Sequence, residues 1–240
     1  MIVELIQEAT AAGARHEVAC SAMGIDARTL QVWTWDITYL KTTMKGAFYY
    51  LYMVLDVWSR KIVGFEVHEA ERASYAAQPV SSATSREEVV AGGLVLHSDN
   101  GSPIKEVTIL AKLQELGIAA SFSLPSVSND QPFSESLFRT AKYRPEFPIR
   151  RFEDLDAARA WAASFVRWYN TEHLHSEIRF VTPESRHSGA DVAMLEARAA
   201  VDRQAREWNP SRWPGALRNW TPVGDITLNP APEKEARAGA

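Results

Sequence analysis

The order in which hydrophobic periods change along the chain predicts an α/β fold, a mixed five-stranded sheet flanked by helices. Three alternating runs rich in aromatic and β-branched residues come first: "VWTWDITYL" (32–40), "AFYYLYMVLDVW" (47–58) and "KIVGFEVHE" (61–69). Their short connections make them an antiparallel meander. A helix–strand–helix–strand succession follows, and amphipathic helices close the chain. Alternation of this kind places helices against a sheet.

Residues 2–33 read as short helices. "MGIDARTLQVW", with Gly24 as a turn residue, Asp26 as N-cap and Leu30 inside, resembles a helix-turn-helix after "RHEVACSA". After the meander a helix is expected from about Ser74 to Val90, with Pro79 causing a kink or a late start. The stretch "GLVLHSDNGS" (93–102) then poses a choice. Asn-Gly between hydrophobic runs signals a hairpin, but the next residues, "PIKEVTILAKLQELG", carry Val107, Leu110 and Leu113 at helical spacing. Asp99 therefore belongs to a strand-to-helix crossover, with Asn100 and Gly101 shaping its turn. The helix is expected over 107–116, stopped by Gly117. A short strand (118–123) and the loop "LPSVSND" lead to a helix from Pro132 to about Tyr143, capped by Asn129 or Asp130 and stopped by Pro145. A second helix (153–171) is amphipathic through Leu155, Ala158, Trp161, Ala162, Phe165, Trp168 and Tyr169. A third spans about 190–207. From Glu207 the chain, with Trp208, Trp213 and Trp220, reads as an irregular arm.

Composition narrows the function classes. The chain has 240 residues, 46% of them hydrophobic, and one cysteine, Cys20, which excludes an intramolecular disulfide and a cysteine-rich zinc site. No apolar run approaches the ~18 residues of a membrane span. The opening "MIVELIQEA" is unlike a signal peptide, so a soluble, cytoplasmic chain without membrane partners is expected. Net charge is −4, against a general affinity for nucleic acid. Yet Arg139, Lys142, Arg144, Arg150 and Arg151 face a single Glu146 in one segment. This strip is either a phosphate-binding surface or a solvated helix end.

The element order is that of ribonuclease H-like nucleases, which place one acid on the first strand, one after the fourth strand and one on a following helix. Asp36, Asp99 and Glu135 meet that demand, with 35 residues between the last two. In the contexts "WTWDITYL", "YYLYMVLDVWSRKIVG", "LHSDNGS", "SVSNDQPFSESLFRTAKYRPEFP", "WYNTEHLHSEIRFVTPE" and "RNWTPVG", the chain resembles DDE transposases and retroviral-type integrases over about 33–225. It is most similar to the bacterial insertion-sequence transposases. Phosphodiester chemistry of this kind uses two divalent cations on either side of one phosphorus, and hard cations prefer oxygen ligands.

The resemblance implies Asp36 bridging two Mg2+ (or Mn2+) ions, with Asp99 on one and Glu135 on the other. It implies nicking at element ends and transfer of the 3′-OH into target DNA, in a homo-oligomeric complex associated with the bacterial nucleoid. In related integrases the residue seven after the glutamate contacts the DNA end, which points to Lys142; Arg139 and Arg144 complete the expected DNA-binding set. The implied division is a short helical segment (1–32), an integrase-type core with its C-terminal helix (33–188), and a helix with a Trp/Pro-containing arm (189–240).

Other polar residues are assigned structural roles. Asp36 is expected opposite about Leu51, leaving Asp56 at the far strand end as a turn cap. His97 is expected to be packed, and His173 and His175 to belong to a helix end. Two departures bear on activity. Leu124 stands where relatives usually carry an arginine, and the family's DNA-recognition region is longer than the segment here. Poor sequence discrimination, with binding governed by phosphate contacts, is therefore expected. The alternative is a regulatory transposase remnant that binds without catalysis.

Overall fold

A computed structural model describes residues 31–98, 107–122, 132–144, 147–148, 151–224 and 226. The expected helix-turn-helix, Asp99 to Gly101, Leu124, the Asn129/Asp130 cap and Pro145 lie outside the described residues. The sheet is formed by β1 (Gln31–Lys41), β2 (Phe48–Asp56), β3 (Ile62–His68), β4 (Leu94–Ser98) and β5 (Ala119–Phe122). Its order is β3-β2-β1-β4-β5. β1, β2 and β3 pair antiparallel, whereas β4 pairs parallel with both β1 and β5. This is the mixed five-stranded sheet that the change of period predicts.

Period two sorts β1 onto two faces. Trp33 and Trp35, with Ile37 against them, join the core formed with α1 (Ala73–Arg86) and α2 (Val107–Glu115). Thr34, Asp36, Thr38 and Leu40 face the other side. There Leu40, Leu51, Met53 and Leu55 pack against α3 (Pro132–Tyr143) and α4 (Leu155–Thr171). All five residues of β4 are buried, as expected of a parallel strand covered on both faces. Removing a large apolar group such as Phe165 from the second core is expected to cost about 3–5 kcal/mol.

Sequence signals explain the element ends. Asp154 caps α4 by accepting from the Ala157 amide at 2.7 Å. Gly117, at φ 68°, ends α2 as expected: Gly117 donates to the Gln114 carbonyl and Ile118 to that of Leu113. α1 starts at Ala73 and runs through Pro79, so the late start is not seen. Pro79 faces Gly64 of β3, where an added Cβ would lie 2.6 Å from the Pro79 carbonyl oxygen. The glycine thus sets the close approach of helix to strand.

The expected β1–β2 register needs correction. Asp36 pairs with Met53, not Leu51, and Trp33 with Asp56. Pairing continues to Lys41–Phe48, and the Thr42 amide then donates to the Ala47 carbonyl. The turn is therefore centred one residue later than the sequence suggested.

Beyond α4 come a 3-10 turn (Ser176–Ile178), α5 (Pro183–His187) and α6 (Asp191–Trp208). Trp220 returns to this segment. It packs on Ile178, Val181 and Leu195 and donates its indole N–H to Asp202 at 2.7 Å. Among the described residues, no helix is long and apolar enough to cross a membrane.

Candidate active site

Asp36 sits on the central strand, two residues past Thr34, the last residue that pairs with β4. From there β1 continues with β2 alone, so the sheet opens beside the C-terminal end of β4. Such strand ends are where ligand sites gather in open α/β sheets. Asp36 is half-buried, and its Oδ1 accepts from the Ile37 amide at 2.7 Å. Asp99 follows Ser98 directly in sequence and lies outside the described residues.

α3 brings the second described acid to the same face. Its inner side is Ser134, Leu137 and Ala141, and Ser134 shares a 3.3 Å hydroxyl–hydroxyl hydrogen bond with Thr34. Thr34 and Asp36 point to one side of the sheet, so this bond seats the first turn of α3 beside the Asp36 face. Glu135 is in that first turn and exposed. An acid there is also favoured by the helix dipole, by about 0.3–1 kcal/mol.

Arg139 and Lys142 follow Glu135 at i+4 and i+7 on one flank of the helix. The pKa of Lys142 is lowered by burial; the nearby Asp36 carboxylate opposes this and Lys41 adds to it. Arg139 lies 5.8 Å over the Tyr143 ring. Arg144 lies past the end of α3 and stacks 3.8 Å over Trp168, so one face of its guanidinium is engaged by α4.

The ligand types suit a hard cation. Asp36 and Glu135 offer only oxygen, and an ionised carboxylate pair is favoured by a bound divalent ion. Among the described residues, no three His, Cys, Asp or Glu side chains form a group able to hold a metal ion. The third acid of the expected triad is the one outside the described residues.

Asp56 belongs elsewhere. Opposite Trp33, it lies on the other face of the sheet from Asp36. Its Oδ2 accepts from the Ser59 amide at 3.1 Å and from the Ser59 hydroxyl, and it meets His187 Nδ1 at 3.4 Å. His187 Nε2 reaches Glu87 at 2.9 Å, and Lys61 bridges Glu87 and Glu184. The turn-capping assignment is right, and the buried charge network around it was not anticipated. His97 is buried and meets Ser121 Oγ at 3.1 Å through Nδ1, a packed residue as expected. At the end of α4, His173 stacks on Tyr169 and tilts against Trp168, while His175 meets Tyr169 edge-on. His175 Nδ1 accepts from the Glu177 amide, and burial lowers its pKa to about 4.

Several sequence motifs find a physical role. Asn170 of "WYN" pairs with both backbone groups of Ile62, at 2.9 and 3.0 Å, extending the edge of β3. Thr182 of "TPE" caps α5, with Pro183 in its first turn. Arg186, fully buried, donates to the carbonyls of Trp58 and Val223 and lies 3.7 Å from Asp191.

Two family models described as "Integrase core domain" match residues 26–127 and 116–183. Together they span more than half of the chain. Asp36 and Asp99 fall in the first match and Glu135 in the second. A putative transposase for insertion sequence element IS986/IS6110 of Mycobacterium tuberculosis (strain CDC 1551 / Oshkosh) is 28% identical over 160 residues, 64% of this chain and 56% of the relative. The transposase for insertion sequence element IS904 of Lactococcus lactis is 28% identical over 155 residues, 64% and 60% of the two chains. The chain thus spans just over half the length of these relatives. Among solved structures, the catalytic core domain of BIV integrase is 19% identical, covering 68% of this chain and 97% of that one at a TM-score of 0.48. On the two family models, which together match residues 26–183, the chain belongs to the integrase core family.

Proposed function

We propose that the chain is the catalytic part of a transposase that nicks DNA at element ends and transfers the 3′-OH into target DNA. Asp36, Asp99 and Glu135 are its acids. The observation that carries this reading is the Thr34–Ser134 hydrogen bond, which seats the first turn of α3, and with it Glu135, beside the Asp36 face. When bound, two Mg2+ or Mn2+ ions supply the stabilisation of the attacking and leaving oxygens in phosphoryl transfer. Asp36, at the open end of β1, and Glu135, in the first turn of α3, would offer their carboxylate oxygens to the ions. Lys142 and Arg139, on the flank of α3 that carries Glu135, offer cations to DNA phosphates. The active complex is proposed to be a homo-oligomer holding both element ends.

The test is to incubate the protein with labelled duplexes of its own element ends and Mg2+ or Mn2+, and to resolve nicked and strand-joined products. Metal-dependent nicking is expected, lost in Asp36→Asn, Asp99→Asn and Glu135→Gln. Equal nicking by all three variants would remove the acids from the chemistry. Retained DNA binding without any nicking by the native protein would favour a regulatory role.

A further inference from the structure

Arg60 stands in the turn between β2 and β3, and its conformation is enforced. Its φ is 66°, a left-handed value that a long side chain adopts only when the surroundings demand it. The demand comes from Asp56, whose carbonyl accepts from the Arg60 amide at 2.8 Å while its carboxylate holds Ser59. The side chain is then driven inward and left 5% exposed.

A buried guanidinium should be fully hydrogen-bonded, and this one is not. Its Nη2 lies 3.0 Å from Glu177 in the 3-10 turn after α4, but Nε and Nη1 have no hydrogen-bond partner among the described residues. Its plane instead lies 4.0 Å over the ring of Phe133. For filling space alone, an apolar side chain of similar length would serve without leaving two donors unpaired.

Phe133 precedes Ser134, and Ser134 precedes Glu135. Arg60 pins the first of these three from the β2–β3 turn, and Thr34 pins the second from β1. Two anchors on adjacent residues leave the backbone of Glu135 little freedom to turn about the helix axis. We propose that Arg60 is a positioning residue for Glu135. It acts through the ring of Phe133 and is itself held by Glu177. The inference rests on the reading of Glu135 as a metal-binding carboxylate. Outer partners that orient a ligand are typically worth about tenfold to a hundredfold in metal affinity.

The test uses Arg60→Met, which keeps length but loses both the planar stack on Phe133 and the pairing with Glu177, and Glu177→Gln, which weakens the anchor at an exposed position. Glu135→Gln serves as the benchmark. Two quantities are read: the Mn2+ concentration giving half the metal-induced rise in melting temperature, and the Mn2+ concentration giving half-maximal nicking. In Arg60→Met both midpoints are expected to rise about tenfold or more, with nicking restored at saturating Mn2+. Glu177→Gln should move both the same way by a smaller factor. If Glu135→Gln abolishes nicking while Arg60→Met and Glu177→Gln keep native midpoints, the positioning role is overturned. If Arg60→Met does not fold, Glu177→Gln decides alone by the same criterion. If Glu135→Gln itself leaves both midpoints unchanged, the failure lies in the ligand assignment of Glu135.

Discussion

Asp36 and Asp56 lie on neighbouring strands of one sheet, and the fold treats them in opposite ways. Asp36 is half-buried where β1 leaves β4, and its Oδ1 accepts from the amide of the next residue of its own strand. Asp56 is 4% exposed on the opposite face and is met by the Ser59 amide, the Ser59 hydroxyl and His187. Each is an acid in a hydrophobic strand, and the sequence separates them by motif context and strand position. Surroundings separate them well. A carboxylate surrounded by donors from its own protein is committed to holding a turn. The other stands at an open strand end and faces a helix that carries a second acid.

The contrast is broken most directly by exchanging the consequences. Asp56→Asn should lower stability by about 2–4 kcal/mol, because a buried network loses its charge and its best acceptor. For a chain of this size that corresponds to a fall of roughly 5–15 °C in melting temperature. Nicking per folded molecule should persist. Asp36→Asn should do the reverse. Its melting temperature without metal should stay near native, whereas nicking should fall roughly a hundredfold or more, as expected when metal-based charge stabilisation is withdrawn. It should also abolish the metal-induced rise in melting temperature. A large loss of stability in Asp36→Asn, with activity retained at low temperature, would reverse the roles assigned to the two acids.

A smaller effect sharpens the same contrast through pH. The hydrogen bond to Asp56 raises the pKa of His187; burial and Lys61 oppose this, and the bond to Glu87 reinforces it. The fold therefore favours the protonated imidazole. Its contribution is complete below the ordinary value of about 6.5 and is lost as pH rises through the raised one. His175 has the opposite sign. Burial lowers it to about 4, so its contribution is present above about 6.5 and is lost as pH falls towards 4. Thermal melts in chelator should show stability declining above neutrality, and His187→Gln should flatten that decline. His175→Gln should flatten part of the acid limb instead. Identical alkaline limbs in native protein and His187→Gln would show that the Asp56 network does not depend on a charged histidine.

How much of this was legible in the sequence follows from the range over which each signal acts. Periodicity is local, so the strands, α3, α4 and the Gly117 cap could be read directly. The β1–β2 register was missed by two positions because it depends on where pairing stops. Here the strands keep pairing to Lys41–Phe48 before turning through Gly46. α5 was missed as a helix although Thr182-Pro183 is a good start signal, because five residues are too few to display a period. The contacts of Arg60 with Phe133 and Glu177 join residues far apart in the chain, and no spacing rule reports them. The acids themselves were found through their contexts. Much of that context proves structural: Asn170 completes an edge strand, and Trp220 covers the post-core cluster.

The smallest expected effect concerns Lys142, which stands between the two kinds of charge in this molecule. It is exposed near the end of α3, where partial desolvation lowers its pKa and the Asp36 carboxylate works against that. It also lies on the flank of α3 that carries Glu135 and Arg139. If its service is to DNA, Lys142→Ala should weaken duplex binding. The slope of log affinity against log salt should then fall by about 0.9, the share of one phosphate contact. Chemistry at saturating DNA should remain, and the metal-induced rise in melting temperature should be kept or enlarged, since a competing cation near Asp36 is gone. If Lys142 only balances Asp36, the salt slope stays native while metal titrates in more tightly. Arg144→Ala is the internal control. Its guanidinium is stacked on Trp168, so a slope change as large as that of Lys142→Ala would place the DNA path across the end of α3 and α4 instead of along the Glu135 flank.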